Sequence, residues 1–410
     1  MSSYGMALVG CGSAVPALSV SNQQLSERVD TSDEWIRTRT GIGARRICAL
    51  DEPLTVLATR AAEAALAHAG WQAEDLDLIL MATSSPDDLF GTAPRVQGAL
   101  GARNAVAFDL TAACSGFLFA LITAGQYLRS GAMRRALVIG ADQLSRWVDW
   151  DDRTTCVLFG DAAAAVAVEA CPEAEDGLLG FRMRSDGSRN GCLTLAQTDA
   201  HHSVLGGVSA QVGGFAPLRM NGQEVYKFAV REVPAVLKEL LESSSTEASQ
   251  LDWLLLHQAN QRILDAVADR FAIPHERVLS NLASYGNTSA ATIPLMLDEA
   301  VKDGRIQPGH LIASSGFGAG LSWGGALLRW AGPPAERLTS RASRTGPAGG
   351  RVISTPTCEC GRHGYRLGLS RTGFAEAGHG RRGAGPARCP RAFCSGIGAA
   401  GPRPAGDLRR

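Results

Sequence analysis

The chain has 410 residues, 40 basic and 40 acidic, and no apolar run long enough to span a bilayer as a helix. The balance hides two unlike segments: residues 331–410 hold 14 arginines against four acidic residues, a net +10, while residues 1–330 carry −10. Neither offers the aromatic-interleaved basic surface of a nucleic-acid binder, so the expectation is no nucleic-acid partner and no membrane partner.

Residues before 331 can bury a large core. The segment 332–410, with Gly and Pro among its arginines, lacks helical or strand period and is expected to be a disordered, non-native tail, such as translation in a shifted frame produces. Its Cys358, Cys360, His363, Cys389 and Cys394 have no tetrahedral spacing, so no metal is expected. The six body cysteines form no C-x-x-C pair, and Met1-Ser-Ser-Tyr-Gly is no signal segment; a reducing cytoplasm follows.

In chain order the body alternates strand and helix patterns, which predicts an α/β architecture. Met6–Gly10 reads as a strand, Leu54–Ala69 as a helix, and Leu76–Met81 and Ala105–Leu110 as strands. Gly116–Leu128 is apolar on nearly every face until Ser130-Gly131, which predicts a buried helix. Ala136–Gly140 and Ala162–Val168 complete the first set of strands. Leu251–Leu256, Leu311–Ser315 and Gly324–Arg329 echo Leu76–Leu80, Ala136–Gly140 and Ala162–Val168, which points to a duplicated unit.

Four segments carry candidate chemistry. Cys114 stands among small residues in Asp109-Leu-Thr-Ala-Ala-Cys-Ser-Gly-Phe117, where a strand becomes a helix. The helix dipole is worth up to about 2 kcal/mol there, so its thiol is expected about one unit below the usual value near 8.5. His257 ends the buried strand Leu254-Leu-Leu and precedes a helix; alone, it also reads as a hydrogen-bonded structural residue. Asn287 sits in Tyr285-Gly-Asn-Thr-Ser-Ala-Ala291 before another helix, and alone also reads as an N-cap. Ser315–Gly324 is a glycine-rich turn between strands that suits close backbone approach to a reacting carbonyl. His201-His202 reads as a solvated loop.

Asp109–Phe117, His257–Arg262, Gly286–Ala291 and Gly318–Gly324 resemble, in order and spacing, the signature segments of the β-ketoacyl-acyl-carrier-protein synthase III group of the thiolase superfamily. The resemblance spans about residues 5–330. It implies two mixed β-sheets packed on a shared helical layer (αβαβα), with residues 1–175 as the half carrying the nucleophile and 176–331 as the half carrying His and Asn.

The implied reaction is condensation of an acyl-CoA primer, acetyl-CoA by expectation, with malonyl-acyl-carrier protein by a homodimer. No cofactor is implied, since acyl-CoA is a substrate. Cys114 takes the acyl group, and His257 and Asn287 donate hydrogen bonds to the malonyl thioester carbonyl. The backbone N–H groups of Cys114 and Gly320 hold the oxyanion.

By the same resemblance Trp35, Arg39, Arg153, Gly222 and Asn260 bind CoA, and Gln258 and Arg262 meet the carrier protein. Leu89 or Phe90 closes the partner subunit's acyl pocket. Three readings compete: a polyketide starter-unit condensing enzyme, a non-catalytic acyl-binding relative, and a papain-like cysteine hydrolase, whose Cys, His and Asn order is the same.

Overall fold

The computed structural model describes residues 4–334. The expectation of a disordered tail concerns residues 332–410, of which 335–410, with all its Cys and His residues, lie outside the described residues.

In chain order the first half supplies β1 (Tyr4–Ala14), α1 (Asp33–Thr40), α2 (Leu54–Ala69), β2 (Leu78–Ala82), α3 (Ala93–Leu100), β3 (Val106–Leu110), α4 (Gly116–Arg129), β4 (Arg135–Asp142) and β5 (Ala162–Pro172). The second supplies β6 (Leu178–Ser185), α5 (Gly222–Ser243), β7 (Trp253–Leu256), α6 (Gln261–Arg270), α7 (Thr292–Lys302), β8 (Leu311–Gly318) and β9 (Ser322–Arg329).

The first sheet runs β1-β5-β4-β2-β3, antiparallel across its first two pairings and parallel across the other two. The second runs β7-β8-β9-β6, with β7 parallel to β8 and the rest antiparallel. Overlaying the patterns sets β7 on β2, β8 on β4, β9 on β5 and β6 on β1, the duplication that the sequence echoes predict. The counterpart of β3 shrinks to one bridge, Leu254 to Val278.

Both sheets are buried on two faces, which is why their strands read as continuous apolar runs rather than alternating ones. Between them lie α4 and α7: Phe117, Leu121 and Ala124 of α4 and Ile293 and Met296 of α7 pack with Leu80, Val138, Leu255 and Ile312. Outside the first sheet, α2 presents Leu57, Ala61 and Ala65 to Val9, Ile79 and Ile139. Outside the second, α5 presents Phe228, Leu237 and Leu240 to Leu254 and Leu327. The result is the αβαβα layering.

Two features position the site. The parallel strands β3 and β7 end on the same side of the core, releasing the Cys114 and His257 segments there, where ligands gather in open α/β sheets. Gly140 in β4 lets the second half press in, since a Cβ there would lie 2.2 Å from the Ala290 carbonyl oxygen. The segment His201–Gln211 is an exposed two-stranded hairpin rather than the loop expected from sequence. Among the described residues no helix is long and apolar enough to cross a membrane.

Candidate active site

A cavity of about 220 Å³ is lined by Cys114, His257, Asn287, Phe317 and Gly318, with Trp35, Arg39, Gly222 and Asn260 also on its wall. Residues 143 and 173 positions downstream of Cys114 therefore reach the same space as the nucleophile candidate.

Cys114 follows Ala113, whose φ of 48° places a residue with a side chain in the left-handed region, and precedes the first turn of α4. That turn delivers the sulfur to the helix N-terminus. The side chain is 7% exposed. Burial, with the charge of Asp142 nearby, pushes the thiol up to about 12 against the hydrogen bond from Ser289. The downward shift expected from the dipole is therefore reversed: removal from water opposes ionisation more than the helix terminus favours it.

His257 continues the β7 ladder, its N–H donating to Ser315 O at 2.9 Å. Its ring is 2% exposed, and burial pushes it down to about 3, so it is neutral at working pH. Thr292 Oγ1 donates to Ser289 O at 3.0 Å and stands 2.8 Å from His257 Nδ1. That contact holds the ring in place, and the neutral imidazole keeps one donor and one acceptor.

Asn287 is pinned by its backbone, donating to Leu158 O at 2.8 Å and accepting from Gly160 N–H at 3.0 Å. Its Oδ1 accepts from Ser289 N–H at 2.9 Å, so the amide nitrogen is the end offered to the cavity.

The glycine packed directly on the backbone of the nucleophile is Gly318. A Cβ on Gly318 would lie 2.6 Å from the Cys114 backbone nitrogen, whereas Gly320 sits two residues further round the turn, on a neighbouring cavity with Ala112, Ala113 and Ala319. The sequence showed a run of glycines without showing where β8 stops.

Around the mouth, the Arg39 guanidinium lies 4.6 Å and that of Arg153 5.4 Å from the centre of the Trp35 ring. Asn260 caps α6 by accepting from Arg262 N–H at 2.9 Å and ties it to α1 by donating to Arg39 O at 3.0 Å. Gly222 opens α5. An outer cleft adds Arg219 and Lys227 to Arg39 and Arg262. Sequence reasoning missed these two cations, because isolated basic residues carry no pattern.

Arg262 is exposed and donates to Thr38 O at 2.8 Å. Gln258 does not join it. Its side chain is fully buried, donating to Leu256 O at 2.8 Å and accepting from Ser280 Oγ at 2.9 Å. Gln258 therefore braces the turn after β7 and has no surface to give a docking protein.

The family model described as 3-oxoacyl-[acyl-carrier-protein (ACP)] synthase III matches residues 108–187, and that for its C-terminal part matches residues 241–330. The chain is similar to a β-ketoacyl-[acyl-carrier-protein] synthase III of Prochlorococcus marinus strain MIT 9313, 72% identical over 80% of this chain and 97% of that protein. A synthase III of Synechococcus elongatus is 63% identical over 80% of this chain and 97% of its own length.

Among solved structures, the 3-oxoacyl-[acyl-carrier-protein] synthase III of Aquifex aeolicus superposes with a TM-score of 0.72 at 43% identity, over 80% of this chain and all of that one. The priming β-ketosynthase of a polyketide pathway does so at 0.73 and 34%, over 81% and 98%. This duplicated fold overturns the papain-like alternative. With relatives this similar along nearly their whole length, the chain belongs to the β-ketoacyl-acyl-carrier-protein synthase III family.

Proposed function

We propose that the protein condenses an acyl-CoA primer, acetyl-CoA first among them, with malonyl-acyl-carrier protein, initiating fatty acid synthesis in the cytoplasm as a homodimer. The single observation that carries this is one cavity walled by Cys114, His257, Asn287 and Gly318, with Trp35 and Arg39 on the same wall. The polyketide starter-unit reading is supported only by the more distant neighbour at 34% identity, against 72% for a synthase III.

In the first half-reaction His257 takes the thiol proton as the sulfur of Cys114 attacks the acyl thioester. A carbon–sulfur bond forms to Cys114, the bond to the CoA sulfur breaks, and the CoA thiolate leaves with the proton from His257. His257, neutral again, and Asn287 both donate to the malonyl thioester oxygen. Carbon dioxide leaves, and its bonding pair becomes the enolate those donors stabilise.

The enolate carbon attacks the acyl-enzyme, and the backbone N–H groups of Cys114 and of the Gly318–Gly320 turn are the donors assigned to the developing oxyanion. Collapse expels the Cys114 thiolate, which takes its proton from solvent. Incubation with acetyl-CoA and malonyl-carrier protein tests this: carbon dioxide and a β-ketoacyl-carrier protein are expected, and their absence would defeat the assignment.

Phe90 is the residue we assign to the partner subunit's acyl pocket. Both side chains are exposed, Leu89 at 81% and Phe90 at 96%, but Leu89 lines a cavity of its own chain whose wall does not include Phe90. Phe90→Ala should shift the preference between hexanoyl- and acetyl-CoA primers, as a kcat/KM ratio, by about tenfold toward the longer one. An unchanged ratio removes Phe90 from the pocket.

A further inference from the structure

A buried cluster behind the nucleophile has no part in these steps. Asp142, the last residue of β4, is fully buried. Its Oδ1 accepts from Ser84 N–H at 2.7 Å, Ser85 Oγ at 2.9 Å and Thr83 Oγ1 at 3.2 Å; its Oδ2 accepts from Ala290 N–H at 3.2 Å. One carboxylate of the first half thus anchors the Asn287–Ala291 segment of the second.

Ser289 lies in that segment with φ at 52°, a conformation that favours glycine, yet it keeps a side chain. The reason is what its hydroxyl reaches. Ser289 Oγ donates to Cys114 Sγ at 3.4 Å, and the next residue, Ala290, is the one whose N–H is held by Asp142.

We propose that Ser289 is a positioning residue for Cys114: its hydroxyl, set against the sulfur by the anchoring of Ala290 on Asp142, donates to Cys114 Sγ, and that hydrogen bond strengthens as the thiol proton leaves. The inference rests on Cys114 being the nucleophile. The hydrogen stays bonded to Ser289 Oγ throughout.

The ionisable groups bordering the sulfur act in keeping with this. Burial raises the thiol, the Ser289 hydrogen bond lowers it and the charge of Asp142 raises it, while burial raises Asp142 itself. His257, on the same cavity wall, is held neutral by burial. The serine would so compensate the thiolate for lying beside a buried carboxylate.

The test is the pH profile of Cys114 alkylation by iodoacetamide in the full chain, read by mass spectrometry of the Cys114 peptide. Ser289→Gly should move the midpoint up by about one unit and slow alkylation at neutral pH about tenfold. The melting temperature should hold or rise, since glycine adopts this backbone freely. Asp142→Asn should move the midpoint the other way.

A Ser289→Gly profile that superimposes on wild type overturns the proposal, as does an upward shift in Asp142→Asn. Should Asp142→Asn not fold, the glycine variant alone decides. Alkylation needs no condensing activity, so a wild-type protein that fails to condense defeats the proposed function without touching this result.

Discussion

Cys114→Ala is expected to lose acyl-CoA-dependent condensation by about 10⁴-fold or more, the scale on which removal of a covalent nucleophile is felt. Decarboxylation of malonyl-carrier protein should survive in part, because Asn287 still offers its amide to the cavity. Alanine suits the site, being small and apolar in a turn already made of small residues, so the fold should persist. Transfer of labelled acetyl from CoA to the protein, measured beside carbon dioxide release, separates the two half-reactions. A labelled acyl-enzyme in the variant would remove Cys114 from its role.

Asn287→Ala and His257→Ala are each expected to cost about 10²–10³ in condensation, the loss that follows removal of one donor from a developing oxyanion. They should differ in the first half-reaction. Asn287→Ala leaves acetyl transfer to Cys114 near wild type, whereas His257→Ala slows it, because the thiol, raised to about 12, then lacks its proton acceptor. Single-turnover labelling distinguishes them, and equal acylation in both variants would exclude His257 as the base.

His257 also sets an acid dependence of stability. Its folded value, about 3, lies below the ordinary 6.5, so unfolding lets the ring take up a proton. The stabilisation is fully present above 6.5 and is lost progressively as pH falls from there toward 3. Activity should show no acid limb near 6.5 from this residue, since the folded enzyme keeps it neutral there.

Short, strongly patterned segments were legible in the sequence. β2, α2 and α4 announce themselves by unbroken apolar runs, and the strand-to-helix change at Cys114 and the polar break at His257 mark where side chains leave a sheet edge. That the two halves repeat one unit followed from echoes between them. What the sequence hid depends on tertiary approach. Gln258 looks like a surface residue beside Arg262 and turns inward only because the chain after β7 closes over it. Gly318 and Gly320 are alike as letters and differ only in where β8 ends.

The Cys114 thiol moved opposite to expectation because the dipole is read from one helix, whereas burial comes from both sheets at once. Ser289 and Asp142 carried no signal at all. A serine among alanines and an acid at a strand end are ordinary until the two halves meet.

Gly140 carries a wider consequence for how such a molecule can evolve. With a backbone carbonyl of the second half pressed where a methyl would go, the smallest possible side chain there acts as a wedge between the two copies of the ancestral unit. Drift at this spot would spread thiol and amide apart while altering neither, so selection on turnover must act on an atom that is not there.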